Sequence, residues 1–170
     1  MKKRYAKMVE HPEYTTLWEG WGIGAEGFGG GTINHAWSGG PLTIMSQYFA
    51  GIAPTAPGFS TYSVYPQMGA LKKITAKVVT AKGDIALKLS NAKEMFELDL
   101  TSPSGTQATV GIPVLTGETI MDVKVNGKAL WSAGKVSGTI PGVRFIEATS
   151  RYVVFAVEPG TWSFSVRETN

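Results

Sequence analysis

Hydrophobic and polar positions alternate through the last two thirds of the chain. Ile85, Leu87 and Leu89 fall on one face of residues 84–90, and Phe96, Leu98 and Leu100 alternate with Glu97, Asp99 and Thr101. A period of two marks a half-buried strand, because successive side chains leave opposite faces of the backbone. The same pattern predicts strands over 59–65, 74–80, 108–114, 120–125, 129–131, 152–157 and 162–166. Lys82-Gly83 and Asn126-Gly127 are hairpin turns, since both supply residues that tolerate positive φ. Ser102-Pro103-Ser104-Gly105 is expected to fold strand 96–101 back onto 108–114 as an antiparallel pair, and Glu158-Pro159-Gly160 links the last two strands. This set of short strands without helical patterns between them predicts a mainly β fold, an antiparallel β-sandwich of jelly-roll type.

Before residue 58 the pattern changes. Leu42, Met45, Tyr48 and Phe49 share one face of a helix over about 41–50, with Pro41 at its first position and Gly51 as its stop. That face should pack firmly, and Ser38 is placed to cap the helix. Tyr5, Met8 and Val9 lie on one side of a shorter helical piece over 1–9, ended by Pro12 through its restriction of His11. Pro54 and Pro57-Gly58 form a stiff bend into the first strand. The expected organisation is therefore a loop and helix segment, 1–57, followed by a sandwich domain, 58–170.

Composition narrows the chemistry. At 170 residues the chain is long enough to bury a core, and with no cysteine it has no disulfides, thiolate nucleophile or Cys-type zinc site. The compartment is left open by this. A formal charge of +3, with basic residues scattered apart from Lys2, Lys3, Arg4 and Lys7, is not the stripe of a nucleic-acid binder. No signal peptide is expected, because His11-Pro12-Glu13 stands where an apolar run is needed. No stretch approaches the roughly 20 apolar residues of a membrane span.

Candidate chemistry concentrates between Thr15 and Ile52. Trp18, Trp21 and Trp37 sit in glycine-rich loops with Glu19 and His35. Indole faces stack on sugar C–H surfaces, and a carboxylate beside them can move protons. Glycoside hydrolysis normally takes two carboxyl groups, and Glu19 is the one clear candidate; Glu26 is too near in a glycine-rich loop to be a persuasive second. With only His11 and His35 available, no metal site or cofactor is expected. Ser38 lacks the surroundings of a nucleophile. The glycines near residue 24 lack the context of a phosphate loop. The strand aromatics Phe96, Phe145, Phe155, Trp162 and Phe164 read as core, whereas Trp131, just past a hairpin, is the one expected to be exposed.

The motifs TTLWEGW, NHAWSGGP and YFAGI, followed by strands ending in VEPGTWSFSV, resemble the C-terminal part of bacterial α-L-rhamnosidases, inverting glycoside hydrolases of family 78. The resemblance implies the end of an (α/α)6 barrel followed by a β-sandwich. It implies that Glu19 is the general base that activates water and that His35 contacts sugar, with Trp18, Trp21 and Trp37 lining the same wall. It further implies a rhamnose-containing glycoside as substrate and a general acid on earlier barrel helices. MKKRYAKMV is similar to the end of one such helix, so this chain is expected to be inactive alone, its exposed barrel-facing side covered by the missing barrel or by self-association. The alternative is a stand-alone, non-catalytic carbohydrate-binding or structural module.

Overall fold

The computed structural model describes residues 2–23, 31–92, 95–114 and 119–169. The chain forms two compact units, Met1–Met45 and Ser46–Asn170.

In the second unit the alternating segments form two sheets. Strands β1 (Ile52–Pro54), β2 (Thr61–Val64), β6 (Gln107–Pro113), β11 (Tyr152–Val157) and β10 (Val143–Ala148) make one, in the order β1-β2-β6-β11-β10. The other runs β3-β4-β5-β12-β7-β8-β9, from β3 (Lys73–Thr80), β4 (Gly83–Ala92), β5 (Met95–Ser102), β12 (Gly160–Thr169), β7 (Thr119–Val125), β8 (Lys128–Ser132) and β9 (Lys135–Val136). The mainly β, sandwich reading holds. Among the described residues the strand pairings are antiparallel except β2 with β6, where Thr61–Val64 runs parallel to Gln107–Val110.

The period-two faces meet in one core. Leu87 and Leu89 pair with Leu100 and Leu98, and Phe164 lies opposite both Leu98 and Val125. All are buried. From the facing sheet comes Phe155, whose ring centroid stands 5.9 Å from that of Phe164. Both expected hairpins form, with Asn126 and Gly127 at φ 49° and 76° in the β7–β8 turn.

One expected pairing is overturned. β5 has β4 and β12 as neighbours, while β6 lies in the other sheet between β2 and β11, so Ser102–Gly105 carries the chain across the sandwich. A buried hydroxyl chain holds this crossing: Tyr62 Oη donates to Ser102 Oγ at 2.7 Å, Ser102 Oγ lies 2.9 Å from Thr106 Oγ1, and Thr106 Oγ1 donates to the Pro103 carbonyl at 2.7 Å. Because Thr106 spends its proton on Pro103, Ser102 donates to Thr106, and all three hydroxyl protons have a fixed direction. Tyr62→Phe should therefore cost roughly 1 to 2 kcal/mol in urea unfolding. Burial raises the Tyr62 phenol above its ordinary value of 10.0, against a smaller lowering by Ser102. The folded state thus holds this proton more tightly, so stability is lost as pH rises above 10, and Tyr62→Phe should show a smaller alkaline loss. An unchanged urea midpoint would contradict the role given to this chain.

Two further readings are corrected. Trp131 is buried at 5% exposure, not an exposed platform, because its side chain takes the inner face of the sheet and joins the hydrophobic core that also holds Val123, its register partner on β7. The helical region is a 3₁₀ turn at Ala36–Gly39, α2 at Gly40–Ile44 and a π-helical turn at Met45–Phe49, and its apolar face is not firmly packed. Leu42, Met45 and Tyr48 are 63%, 43% and 54% exposed. Strands β1, β9 and β10 were not foreseen: two are very short, and a bulge between Phe145 and Glu147 breaks the alternation of the third.

Candidate functional site

The first unit is held together by short-range links between loop segments. Helix α1 (Lys2–Val9) ends as expected ahead of Pro12, and His11 Nδ1 then accepts hydrogen bonds from the backbone N–H groups of Glu13 and Tyr14 at 3.2 and 3.0 Å. An accepting Nδ1 places the proton of neutral His11 on Nε2. Trp18 packs edge-on against this imidazole at 5.3 Å and donates from Nε1 to the Tyr14 carbonyl at 3.1 Å. It is fully buried. With its surface fully covered, the ring has no face open to a ligand.

Residues 17–19 and 32–35 are joined by two backbone bonds, Glu19 N to Thr32 O at 2.9 Å and His35 N to Leu17 O at 2.8 Å. Thr16 Oγ1 donates to the Ile33 carbonyl, and Ser38 Oγ donates to the Trp18 carbonyl. Ser38 therefore does not cap the helix; no side-chain cap bond is made there, and the hydroxyl ties the 3₁₀ turn to the tryptophan segment.

This clamp gathers three of the expected site residues. Glu19 Oε2 accepts the Thr32 N–H at 2.9 Å, with Thr32 Oγ1 at 3.4 Å, and lies 3.7 Å from His35 Nδ1. Thr32 Oγ1 is also 3.1 Å from His35 Nδ1. Trp37 donates from Nε1 to the Glu19 carbonyl at 3.0 Å, and its ring lies 4.3 Å from His35. The contacts to the carboxylate all fall on Oε2. Among the described residues nothing engages Oε1, and the side chain keeps 23% of its surface exposed. Such a carboxylate is held in one orientation with an oxygen free to take a proton.

Trp37 is 69% exposed and Trp21 51%, so both present indole surface to solvent. Trp21 meets Tyr5 edge-on at 5.3 Å. Thr32 was missed in the sequence. Its spacing of three from His35 was visible, but its bond to Glu19 closes over 13 positions. Glu26 lies outside the described residues, and among those described no group of three or more acidic or histidine side chains is placed to hold a metal. Within the same unit Tyr5, Val9, Leu17, Leu42 and Met45 line an apolar groove of about 430 Å³.

Comparison with known proteins agrees with the resemblance read from the motifs. Residues 51–127 match the bacterial alpha-L-rhamnosidase C-terminal domain. A comparison with curated proteins finds no match. Among solved structures, an alpha-L-rhamnosidase from Dictyoglumus thermophilum superposes with a TM-score of 0.75 at 22% identity, over 94% of this chain and 17% of that one. A Streptomyces avermitilis alpha-L-rhamnosidase complexed with L-rhamnose gives 0.69 at 24% identity, over 91% of this chain and 14% of that one. One from Aspergillus terreus gives 0.63 at 19% identity, over 96% and 17%. At these identities the likeness establishes the fold. This chain spans less than a fifth of each of those proteins.

Proposed function

We propose that this chain, whose residues 51–127 match the bacterial α-L-rhamnosidase C-terminal domain, works as the C-terminal portion of an inverting α-L-rhamnosidase-like glycoside hydrolase. In that reading Glu19 is the general base. The observation that carries it is the fixed carboxylate with Oε2 bound by Thr32 and Oε1 without a partner among the described residues. A base must hold one geometry and still offer a lone pair, and this arrangement does both. Water bound at Oε1 would lose a proton to Glu19 as it attacks the sugar carbon. His35, tilted against Trp37, and the exposed indoles of Trp37 and Trp21 would bound the sugar.

Inversion also takes a proton donor on the far side of the bond, with the two carboxyl groups about 6.5 to 9.5 Å apart. In this proposal that acid comes from the barrel of the complete enzyme. The same barrel would cover the apolar groove between α1 and α2, where Val9 and Leu42 are more than half exposed.

The isolated chain should release no measurable aryl alcohol from an aryl α-L-rhamnoside, even at high protein concentration. Turnover that vanishes in Glu19→Gln would overturn the reading of a site completed elsewhere and make this chain an enzyme by itself.

A further inference from the structure

We propose that the sandwich carries a second site, separate from Glu19, that takes a carboxylate-bearing sugar residue. A cavity of about 560 Å³ opens beside the end of β11, with Pro66, Gln67, Met68, Asn91, Arg151 and Tyr152 in its wall. That volume suits a sugar residue or two. Arg151 is the one charged side chain among the described lining residues.

The wall is built rather than incidental. Thr149 Oγ1 accepts the N–H groups of Arg151 and Tyr152 at 3.2 and 3.0 Å, and Val114 N donates to the Arg151 carbonyl at 2.8 Å, which fixes the backbone that carries the guanidinium. Tyr152 stands edge-on to Tyr65 at 5.1 Å, with its hydroxyl donating to the Pro66 carbonyl at 3.2 Å. Its polar end is thereby occupied, and its ring joins Pro66 and Met68 as the apolar side. Gln67 N donates to the Tyr48 carbonyl at 3.1 Å and Asn91 N to the Lys72 carbonyl at 2.8 Å. Their backbones are anchored as well. Among the described residues no hydrogen bond or ion pair engages the side-chain amides of Gln67 and Asn91 or the guanidinium of Arg151.

The free groups specify the ligand. One guanidinium pairs with one carboxylate through two parallel hydrogen bonds. Each amide both donates and accepts, as adjacent hydroxyls require. A lone arginine with neutral amides and an apolar wall fits a monoanion carrying hydroxyls better than a phosphate, which gathers several cations or backbone N–H groups. The anion preference rests on the cavity; the choice of a saccharide rests on the function proposed above.

Calorimetric titration of the whole 170-residue chain with methyl β-D-glucuronide and methyl β-D-glucoside, which differ only at the carboxylate, tests this. The glucuronide should bind saturably and at least tenfold more tightly. Arg151→Ala should abolish that preference with the unfolding midpoint unchanged, Arg151→Lys should restore part of it, and Glu19→Gln should leave it intact. Equal binding of the two sugars, no binding of either, or a preference that survives Arg151→Ala would overturn the site. Loss of binding in Glu19→Gln would overturn it too, by placing the ligand at the other site. Competition by acetate or inorganic phosphate as strong as by the glucuronide would refute the saccharide class alone, leaving the role of Glu19 to the hydrolysis assay.

Discussion

Gly51→Ala should destabilise the sandwich by roughly 3 kcal/mol or more, a large part of the 5–15 kcal/mol that holds a typical domain folded. Gly51 sits at φ +78°, and a Cβ built on it would stand 2.2 Å from the Tyr65 carbonyl carbon and 2.5 Å from the Pro66 nitrogen. Both obstacles are backbone, so no rotamer change relieves them. The approach is close because Tyr65 N donates to the Gly51 carbonyl at 3.0 Å just before Ile52 pairs with Val64. Relief would mean parting β1 from β2. Gly58 provides the control: it too has a positive φ, +63°, but nothing lies within 4 Å of its added Cβ. Gly58→Ala should thus cost only the backbone term, about 1 to 2 kcal/mol. Urea unfolding of the two variants measures the difference. Equal effects would mean that the contact with Tyr65 yields more easily than the geometry implies.

In a complete enzyme carrying this chain, Glu19→Gln should lower kcat by about 10² to 10⁴ while changing KM little. Glutamine keeps the shape of glutamate, and its carbonyl oxygen can still accept the Thr32 N–H that holds the side chain at 2.9 Å. What it loses is the ability to take a proton from water. A fall in kcat below tenfold would remove Glu19 from the role of base, and a rise in KM at constant kcat would make it a binding residue instead. Steady-state kinetics on an aryl α-L-rhamnoside separates these outcomes.

Much of the sandwich was legible residue by residue. The alternation through Phe96, Leu98 and Leu100 gave the buried face of β5 correctly, and Asn126-Gly127 gave the β7–β8 hairpin. The partner of β5 was not legible. Ser102–Gly105 reads as a return turn, yet the hydroxyl chain from Tyr62 through Thr106 accompanies a crossing between sheets. Alternation states which way a side chain points and is silent on which strand lies beside it. Trp131 failed for a related reason, since closeness to a turn does not reveal that its side chain takes the core face of the sheet.

The site divides the same way. Glu19, His35 and Trp37 were nameable from residue type and motif, and the structure brings them together. Trp18 belongs to the same motif but is fully buried. Neighbours in sequence point to different surroundings once the backbone bends, and an indole serves equally as core or as sugar platform.

By itself, the sequence determined the β class of the second unit, the inward face of its main strands, its tight hairpins and the residue types available for acid/base work. Those properties follow from local backbone geometry and side-chain chemistry, which each short stretch carries within itself. Only the tertiary structure decided that β5 and β6 lie in different sheets, that Trp18 is buried while Trp37 is open, that Thr32 fixes one oxygen of Glu19, and that Arg151 stands in a cavity wall with no ion-pair partner among the described residues. These depend on which distant segments meet, and that is set by the combined burial and hydrogen bonding of the whole unit rather than by any one stretch.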